Sequence, residues 1–525
     1  MALEIAKTKN GLIRGVLQEG ANAGITVFKK VPYAKPPIGA LRFKPAEPVA
    51  DWEGVYDGTS YAPAEFQTLC EGAPYLTDFY FNDWPALSED CLYLSVTTGA
   101  ESAEEKRPVY VWFHGGGLST GFYYEIAFDG NALAKKGIIV VSVAQRLNVF
   151  GYLALPQLRD ESGKNGNYGF TDQLMAMRWI RENIAAFGGD PDNITIGGQS
   201  GGSQKVCMLA GSPAGKGLFK RVIAHSGLKW MQHFKTQEEA EAEGKAYLAA
   251  CGIDPDISAE ALRALPPTIF NLKANAKIPG EMICDGDLVP YPFMKDCLEA
   301  YAGGTAFICG TCLGEADVFA DMGISEKEGK QDFTAERFYA HFRTLLGPLY
   351  DDEKFRALVP VTDETAYRRA RELATAGLAR KGRVNFSRNL MLARLFGAHM
   401  QKIDPAFRNY VFLFSHFLSL RPEDKGCPND PEIIMAYHSS DLFYAFGSLG
   451  EGVPPTRPWQ PYDFELADKV TSLFADFMSG KAPWKDSADG SYKLKSMVEK
   501  MAPIKDVKLE SLIDIITISP RWLQV

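Results

Sequence analysis

The chain has no excess of basic residues and no long apolar run. Its 56 Lys and Arg residues are outnumbered by 65 Asp and Glu residues, which gives a net charge of −9 at pH 7. Nucleic acids and anionic membrane surfaces attract positive charge, so this balance argues against both as main partners. No stretch is long and apolar enough to span a bilayer, so we expect no membrane span.

The N-terminus also lacks the apolar run of a signal peptide. Its first residues, from Met1 to Lys7, mix apolar and charged side chains. We expect a cytoplasmic protein if Met1 is the native start, and an exported protein if a leader has been removed.

Metal-binding patterns are scarce. The nine cysteines are scattered and odd in number, and Cys309 and Cys312 form the only close pair. A zinc site needs a second such pair or a nearby histidine. We therefore predict no metal site, and we interpret Cys309 and Cys312 as buried thiols near the end of a strand.

One short stretch, residues 193–203, organises the chain. Its apolar residues indicate a buried strand, and Gly198-x-Ser200-x-Gly202 follows in a turn before a helix. This is the pattern of a nucleophile elbow, in which a serine sits on a sharp strand-to-helix turn. Side chains in place of the two glycines would crowd the backbone of so tight a turn. In a chain with 49 glycines the motif could also arise by chance, so the rest of the chain decides.

A glycine-rich loop follows an earlier apolar run. Residues 109–113 are continuously apolar, which is typical of a strand covered on both faces, and they lead into His114-Gly115-Gly116-Gly117. Such a loop can present bare backbone amides to an oxyanion. A flexible turn is the alternative interpretation, while the spacing of a dinucleotide-binding loop is missing.

Strand and helix patterns alternate around these motifs. Residues 137–143 form another apolar run, and residues 171–186 show helical periodicity. This alternation predicts an α/β fold with a mostly parallel central sheet. We predict a single domain over residues 1–525, with helical cap insertions at about 230–305 and 320–405.

Only seven histidines are available as the general base that a serine nucleophile requires. His114 lies in the glycine loop and His225 at a strand end, while four others lie in helical or apolar contexts. His438 differs because it lies in a late polar loop. The order Ser200, acid, His438 is the order of triad residues in α/β-hydrolases.

The chain resembles the type-B carboxylesterases, the esterase and lipase group that includes the cholinesterases. Residues 187–202 follow the serine signature of that family nearly throughout, and residues 89–94 follow its second signature. The stretches 166–173 and 33–39 are also similar to the family. The resemblance covers most of the chain up to the His438 loop, which makes it far more specific than the serine motif alone.

The resemblance implies an α/β-hydrolase fold and a catalytic triad of Ser200, Glu315 and His438. The family carries its acid five residues after a glycine at a strand end, and Gly310 with Glu315 fits that spacing. From the residues alone, Asp317 is a competing carboxylate.

The resemblance also implies an oxyanion hole formed by the amides of Gly116, Gly117 and Gly201. The family usually has alanine where Gly201 stands, a change that keeps the amide but predicts a looser turn. It commonly has phenylalanine where Leu118 stands, on the acyl side of the pocket. Ser226 matches a family serine that lies near the triad.

By this resemblance the chain is a serine carboxylesterase that hydrolyses small-molecule esters through an acyl-enzyme on Ser200, without a cofactor. Cholinesterase-like relatives have tryptophan where Phe81 stands, with Trp84 nearby, so specific choline binding is not expected. A feruloyl or hydroxycinnamoyl esterase is an alternative, suggested by four aromatic residues: Phe122, Tyr123, Tyr124 and Phe443. A non-catalytic binding module on the same fold is disfavoured because all three triad residues are present.

The family sometimes pairs the cysteine of its second signature with an upstream cysteine. In this chain the pairing would join Cys70 to Cys91. Such a disulfide would indicate export to an oxidising compartment. The sequence does not specify an oligomeric state.

Overall fold

The protein is described from a computed structural model of the chain. The described residues are 2–68, 85–230, 232–270, 272–273, 275–315, 333–346, 350–375, 389–425, 430–431, 435–450, 457–483 and 491–493. Cys70, Phe81, Trp84 and Asp317 therefore lie outside the described residues.

The strands are numbered in chain order. They are β1 Ile5–Lys7, β2 Leu12–Arg14, β3 Val16–Leu17, β4 Thr26–Pro32, β5 Val55–Asp57, β6 Ala64–Glu65, β7 Leu87–Ser88, β8 Tyr93–Thr98, β9 Arg107–Phe113, β10 Ile139–Val143, β11 Gly189–Gln199, β12 Arg221–His225, β13 Ala306–Cys312, β14 Asn409–Phe414 and β15 Ser491–Lys493.

The helices are numbered in the same way. They are α1 Asn131–Lys135, α2 Asn148–Tyr152, α3 Tyr168–Asn183, α4 Gly201–Ala210, α5 Gln237–Ala250, α6 Ala259–Ala264, α7 Met294–Tyr301, α8 Ala335–Leu346, α9 Asp352–Leu358, α10 Asp363–Thr375, α11 Asn389–Ile403, α12 Leu442–Phe446 and α13 Pro461–Met478. Short 3₁₀ turns lie at Gly20–Asn22, Gly39–Leu41, Ile126–Phe128, Pro156–Leu158, Ile184–Phe187, Pro213–Gly215, Pro267–Ile269 and Pro422–Asp424.

The chain divides into two compact units. The first comprises Met1–Ala224, Trp230–Phe307 and Leu442–Pro483, and the second comprises His225–Lys229, Ile308–Asp441 and Trp484–Val525. The prediction of a single domain over 1–525 is not tested by this division and stays a prediction.

The sheet of the first unit carries the serine motif at the end of β11, which lies between β12 and β9. Its strand order is β12-β11-β9-β10-β8-β4-β3. Strand β9 pairs in parallel with both β10 and β11, whereas β8 pairs antiparallel with β10 and β4. All five residues of β10 are buried, as are residues 109–113 of β9, because a parallel sheet has both faces covered. The predicted α/β class with a mostly parallel central sheet is confirmed, and the antiparallel pairs lie towards one edge.

The elbow strand begins earlier than its apolar residues indicate. Strand β11 starts at Gly189, and its register against β9 shifts between Gly189 and Ile194. The five residues before Ile194 are polar, glycine or proline residues, so hydrophobic periodicity does not identify them as strand. The long strand therefore contains an irregular polar start and a buried end that leads into the elbow.

Helices follow in the two segments where insertions are predicted. Helix α5 begins with the expected capping box, in which Thr236 Oγ1 accepts from Glu239 N and the Glu239 carboxylate accepts from Thr236 N. Helices α5 to α7 lie within 230–305, and α8 to α11 lie within 333–405. Their role as a cap over a substrate stays a prediction.

The second unit contains strands β14 and β15, which pair in parallel, with β13 on the other side of β14. Among the described residues of the chain, no helix combines the length and the apolarity that crossing a bilayer requires.

Candidate active site

Ser200 lies between the end of β11 and the start of α4, in an unfavourable backbone conformation. Its φ is 58° and its ψ is −116°, a combination that few residues other than glycine adopt. Strain of this kind persists only where the surrounding structure enforces it, and it concentrates at functional sites. The strand-turn-helix context that the serine motif predicts is therefore present.

The flanking glycines are required by close approaches of the backbone. A side chain at Gly198 would collide with the backbone of Gly202, and a side chain at Gly202 would collide with the carbonyl of Phe113. The elbow thus crosses over itself and packs on the end of β9. This confirms that the two glycines permit the tight turn.

The glycine loop leaves β9 at Phe113 and turns sharply. Gly116 and Gly117 have φ values of +79° and +66°, which glycine adopts without steric cost. The carbonyl of Gly116 accepts from Thr120 N at 3.0 Å, which closes the turn. Within the described part of the chain, the amides of Gly116 and Gly117 donate no hydrogen bond, so they are available to an oxyanion.

Gln67 fixes the far end of this loop. Its side chain accepts from Gly121 N at 2.7 Å and donates to Gly121 O at 2.8 Å. Both groups are buried, so each hydrogen bond satisfies an atom that water does not reach. These two hydrogen bonds therefore anchor the far end of the loop, which favours an ordered loop over a flexible turn.

Gly201 is the first residue of α4, where the backbone N–H of a helix has no partner within the helix. A side chain at this position would collide with the carbonyl of Gly117. The glycine loop and the start of α4 are thus closer together than an alanine allows. The backbone of Gly117 occupies the space that the methyl group of an alanine would take, and the expectation of a looser turn at Gly201 stays a prediction.

This close approach predicts the effect of restoring alanine. Gly201→Ala should lower kcat by about ten- to hundredfold with little change in KM, because displacing Gly117 would move an amide of the predicted oxyanion hole. Steady-state kinetics on a 4-nitrophenyl ester measures both constants. Gly303→Ala is the control, because the space around Gly303 is open. Unchanged kcat in Gly201→Ala would show that the loop adjusts freely.

Glu315 and His438 are brought together in the second unit. Glu315 Oε1 lies 3.4 Å from His438 Nδ1, and it also accepts from Cys312 N at 2.9 Å. The Glu315 side chain is completely buried, while 21% of the His438 side chain is exposed. A buried carboxylate beside a partly exposed imidazole is the arrangement of an acid that orients a base.

A second buried network, which sequence analysis missed, holds these two residues. His225 Nδ1 lies 2.7 Å from Asp441 Oδ2, and Cys312 Sγ donates to Asp441 Oδ1 at 3.3 Å. Asp441 follows His438 closely in the chain, and Cys312 precedes Glu315. The network therefore connects the loop that carries His438 to the loop that carries Glu315. The polar run Ser439-Ser440-Asp441 was the available signal.

Further backbone contacts support the same arrangement. Gly314 N donates to Ala436 O at 2.7 Å, and Ser226 N donates to Gly310 O at 2.7 Å. Ser226 is completely buried and has a φ of 50°. Its expected place close to the triad stays a prediction.

The six predicted site residues belong to two units. Ser200, Gly116, Gly117 and Gly201 belong to the first unit, whereas Glu315 and His438 belong to the second. Their assembly into a single site stays a prediction.

The aromatic residues suggested for a hydroxycinnamate pocket are mostly packed into the fold. Tyr123 is 1% exposed, and its hydroxyl donates to Lys29 O and accepts from Ala62 N. Tyr124 stacks on Tyr61 with ring centroids 4.4 Å apart. Phe443 is completely buried. Tyr123 therefore has a structural role, because both hydrogen-bonding positions of its hydroxyl are used by the backbone.

The cysteines in the described residues are thiols. Cys309 and Cys312 are completely buried on β13, as predicted. Cys91 is also a buried thiol, and since Cys70 lies outside the described residues, the pairing of the two stays a prediction. Among the described residues, no group of acidic, histidine and cysteine side chains is arranged to hold a metal ion.

Comparison with known proteins identifies the relatives of the chain. The profile of the Carboxylesterase family matches residues 2–511. The para-nitrobenzyl esterase of Bacillus subtilis (strain 168) is 35% identical over 329 residues, which is 61% of this chain and 64% of that protein. The cocaine esterase of Homo sapiens is 42% identical over 234 residues, 43% of this chain and 41% of that protein. The chain thus matches less than two thirds of the length of either protein.

Two solved structures are similar over nearly the whole chain. A PNB esterase has a TM-score of 0.65 at 27% identity and covers 92% of both chains. A thermophilic PNB esterase has a TM-score of 0.67 at 26% identity and covers 93% of both chains. The fold described above is therefore the fold of these esterases.

Proposed function

Since the chain belongs to the carboxylesterase family, we propose that it is a serine carboxylesterase with Ser200 as nucleophile, His438 as base and Glu315 as orienting acid. The observation that carries the proposal is the strained Ser200 at the start of α4, packed against the glycine loop. No role in packing explains this conformation, whereas the presentation of a reactive hydroxyl on a strand-to-helix turn does.

In the proposed first step, Ser200 Oγ attacks the ester carbonyl carbon and His438 takes the hydroxyl proton. The amides of Gly116, Gly117 and Gly201 stabilise the negative oxygen of the tetrahedral intermediate. The carbon–oxygen bond of the leaving alcohol then breaks, and His438 returns its proton to the alcohol. An acyl group remains on Ser200.

In the second step, water attacks the acyl carbonyl and gives its proton to His438. The same amides stabilise the second oxyanion, and the bond to Ser200 Oγ breaks as His438 protonates it. The carboxylic acid leaves and the enzyme is regenerated. Glu315 beside Nδ1 of His438 holds the imidazole so that Nε2 serves the serine, and it stabilises the imidazolium that forms twice per cycle.

The proposed substrates are small-molecule carboxylic esters. The relatives are named for the hydrolysis of a para-nitrobenzyl ester and of cocaine, both small esters that carry aromatic groups. The chemistry of the site requires no cofactor, since serine, histidine, glutamate and backbone amides supply the nucleophile, the proton carrier and the oxyanion donors.

A panel of esters and one covalent probe test the proposal together. We expect hydrolysis of 4-nitrophenyl acetate or butyrate, and the relative rates with the octanoate and with methyl ferulate define the acyl preference. A fluorophosphonate should add once to the protein, and the adduct should map to the Ser200 peptide. A folded protein that neither hydrolyses any ester nor reacts with the probe would contradict the proposal and favour a binding role.

A further inference from the structure

A lysine is completely buried beneath the glycine loop. Lys205 lies on the second turn of α4, and none of its surface is exposed. A buried ammonium is costly unless it is paired and hydrogen-bonded. A methionine of similar length would fill the same space without that cost, so the charge calls for an explanation.

The contacts of Lys205 lead to the glycine loop. Its Nζ donates to the carbonyl of His114 at 3.0 Å, the residue directly before the glycine triplet. The Gln145 amide satisfies its neighbours when its oxygen faces inwards, where it accepts from Lys205 Nζ at 3.0 Å and from His114 Nε2 at 2.6 Å. Both the carbonyl and the ring of His114 are thus held by one buried group of side chains.

Two buried carboxylates complete this group, which we call the Lys205 cluster: Glu65, His114, Glu125, Gln145 and Lys205. Glu65 Oε1 accepts from Gln145 N at 3.0 Å and lies 3.7 Å from His114 Nε2. Glu125 Oε1 accepts from Phe122 N at 3.0 Å, at the end of the glycine loop. All five side chains are buried.

Burial shifts the pKa of three side chains in the Lys205 cluster. Burial lowers the pKa of Lys205 from 10.5 to about 7, although the carboxylates of Glu65 and Glu125 act to raise it. Burial raises the pKa of Glu125 to about 8, and the nearby ammonium acts to lower it. Burial, and then the Lys205 charge, lower the pKa of His114. The ammonium of Lys205 is therefore lost as the pH rises through neutrality.

The hydrogen bond from Lys205 Nζ to His114 O, which we call the tether, joins the two elements that carry the proposed oxyanion donors. The glycine loop supplies the amides of Gly116 and Gly117, and α4 supplies the amide of Gly201. The bond from Lys205 to His114 O joins the start of the first element to the second turn of the other. A change in this bond therefore alters the spacing between the two sets of amides.

We propose that Lys205 is a positioning residue for acyl transfer, because its ammonium ties the His114 carbonyl to α4 and so sets the spacing of the oxyanion amides. The inference rests on the proposed esterase function and deepens it. The protonated lysine is the stronger hydrogen-bond donor, so the tether is firm at low pH and loosens as the ammonium is lost. Activity therefore falls as the pH rises and Lys205 loses its proton.

Two substitutions separate the charge from the hydrogen bond. Lys205→Met removes both and should lower kcat by about ten- to hundredfold, because a small displacement of the oxyanion amides weakens their contact with the transition state. KM should change little, because the substrate in its ground state depends less on these amides. Lys205→Gln keeps an N–H donor and should fall between that variant and the wild type. Ser203→Ala is the matched control, since Ser203 is equally buried on the same helix and its hydroxyl has no partner among the described residues.

The pH profile of kcat distinguishes positioning from simple loss of stability. The wild type should show a descending ionisation near pH 7, the value at which Lys205 loses its proton, and Lys205→Met should lack it. Glu65→Gln removes the carboxylate that most raises the pKa of Lys205, so it should move this descending limb of the pH profile to lower pH. This variant keeps an acceptor for Gln145 N and decides the matter even if Lys205→Met does not fold.

The outcomes are separable from those of the proposed function. Lysine variants with wild-type kcat overturn the inference, and so does an unchanged descending limb in Glu65→Gln. A loss of kcat that leaves the limb in place in Lys205→Met shows a structural role and overturns it as well. If the wild type hydrolyses no ester, the esterase proposal fails and the inference fails with it. Ser200-dependent hydrolysis with unaffected lysine variants removes the inference alone.

Discussion

Ser200→Ala is expected to lower kcat for ester hydrolysis by on the order of 10⁶-fold, because the acyl-enzyme can no longer form. The oxyanion amides and substrate binding remain, and in serine hydrolases these alone leave a residual acceleration of about 10³–10⁴ over water. The measurement is steady-state hydrolysis of 4-nitrophenyl butyrate, with the variant purified separately from any wild-type enzyme.

The fold of this variant should be unaffected. Alanine removes one hydroxyl from a residue that is 9% exposed, and it leaves the contacts of Gly198 and Gly202 in place. Ser203→Ala, a second serine-to-alanine change on the same helix, should retain activity. Fluorophosphonate labelling should disappear in Ser200→Ala and persist in Ser203→Ala. Wild-type turnover in Ser200→Ala would mean that another residue is the nucleophile.

Glu315→Gln is expected to lower kcat by about 10⁴-fold, the loss that follows when a triad acid becomes an amide. The amide no longer stabilises the imidazolium that forms in each step, and its NH₂ group favours the wrong tautomer of His438. The glutamine oxygen can still accept from Cys312 N, so the buried backbone donor keeps its partner. Rate and thermal unfolding measured on the same sample separate the catalytic loss from any loss of stability.

Asp317→Asn is the decisive companion to this variant. The residues alone left Asp317 as the competing acid, and a variant at that position should retain most of the activity if Glu315 is the triad acid. The opposite result, an inactive Asp317→Asn and an active Glu315→Gln, would move the acid to Asp317. It would also reduce the 3.4 Å approach of Glu315 to His438 to a structural contact.

The local parts of the candidate site were predictable from the sequence for steric reasons. A serine on a strand-to-helix turn needs glycines where the backbone crosses itself, so Gly198 and Gly202 mark the elbow directly. A glycine triplet after a buried strand likewise indicates bare amides. These requirements act over a few residues and are therefore visible without the fold.

The parts that depend on distant residues were not predictable in the same way. His225 and Asp441 lie 216 positions apart, and only the fold brings them within 2.7 Å. Sequence analysis did not single out Lys205, because no periodicity distinguishes a buried lysine from an exposed one. The effect of glycine at position 201 also depends on how close the backbone of Gly117 lies, and the sequence does not specify that distance.

Three buried thiols can report local opening of the elements that carry them. Cys207 on α4 and Cys309 and Cys312 on β13 are all inaccessible to solvent. Burial raises the pKa of Cys207 to about 12, and burial also raises the pKa of Cys312 well above its usual range. Both shifts withhold the reactive thiolate. An alkylating reagent can reach them only when their element separates from its neighbours. The rate at which each sulfur is capped therefore reports the free energy of local opening at the nucleophile helix and at the strand that precedes the acid.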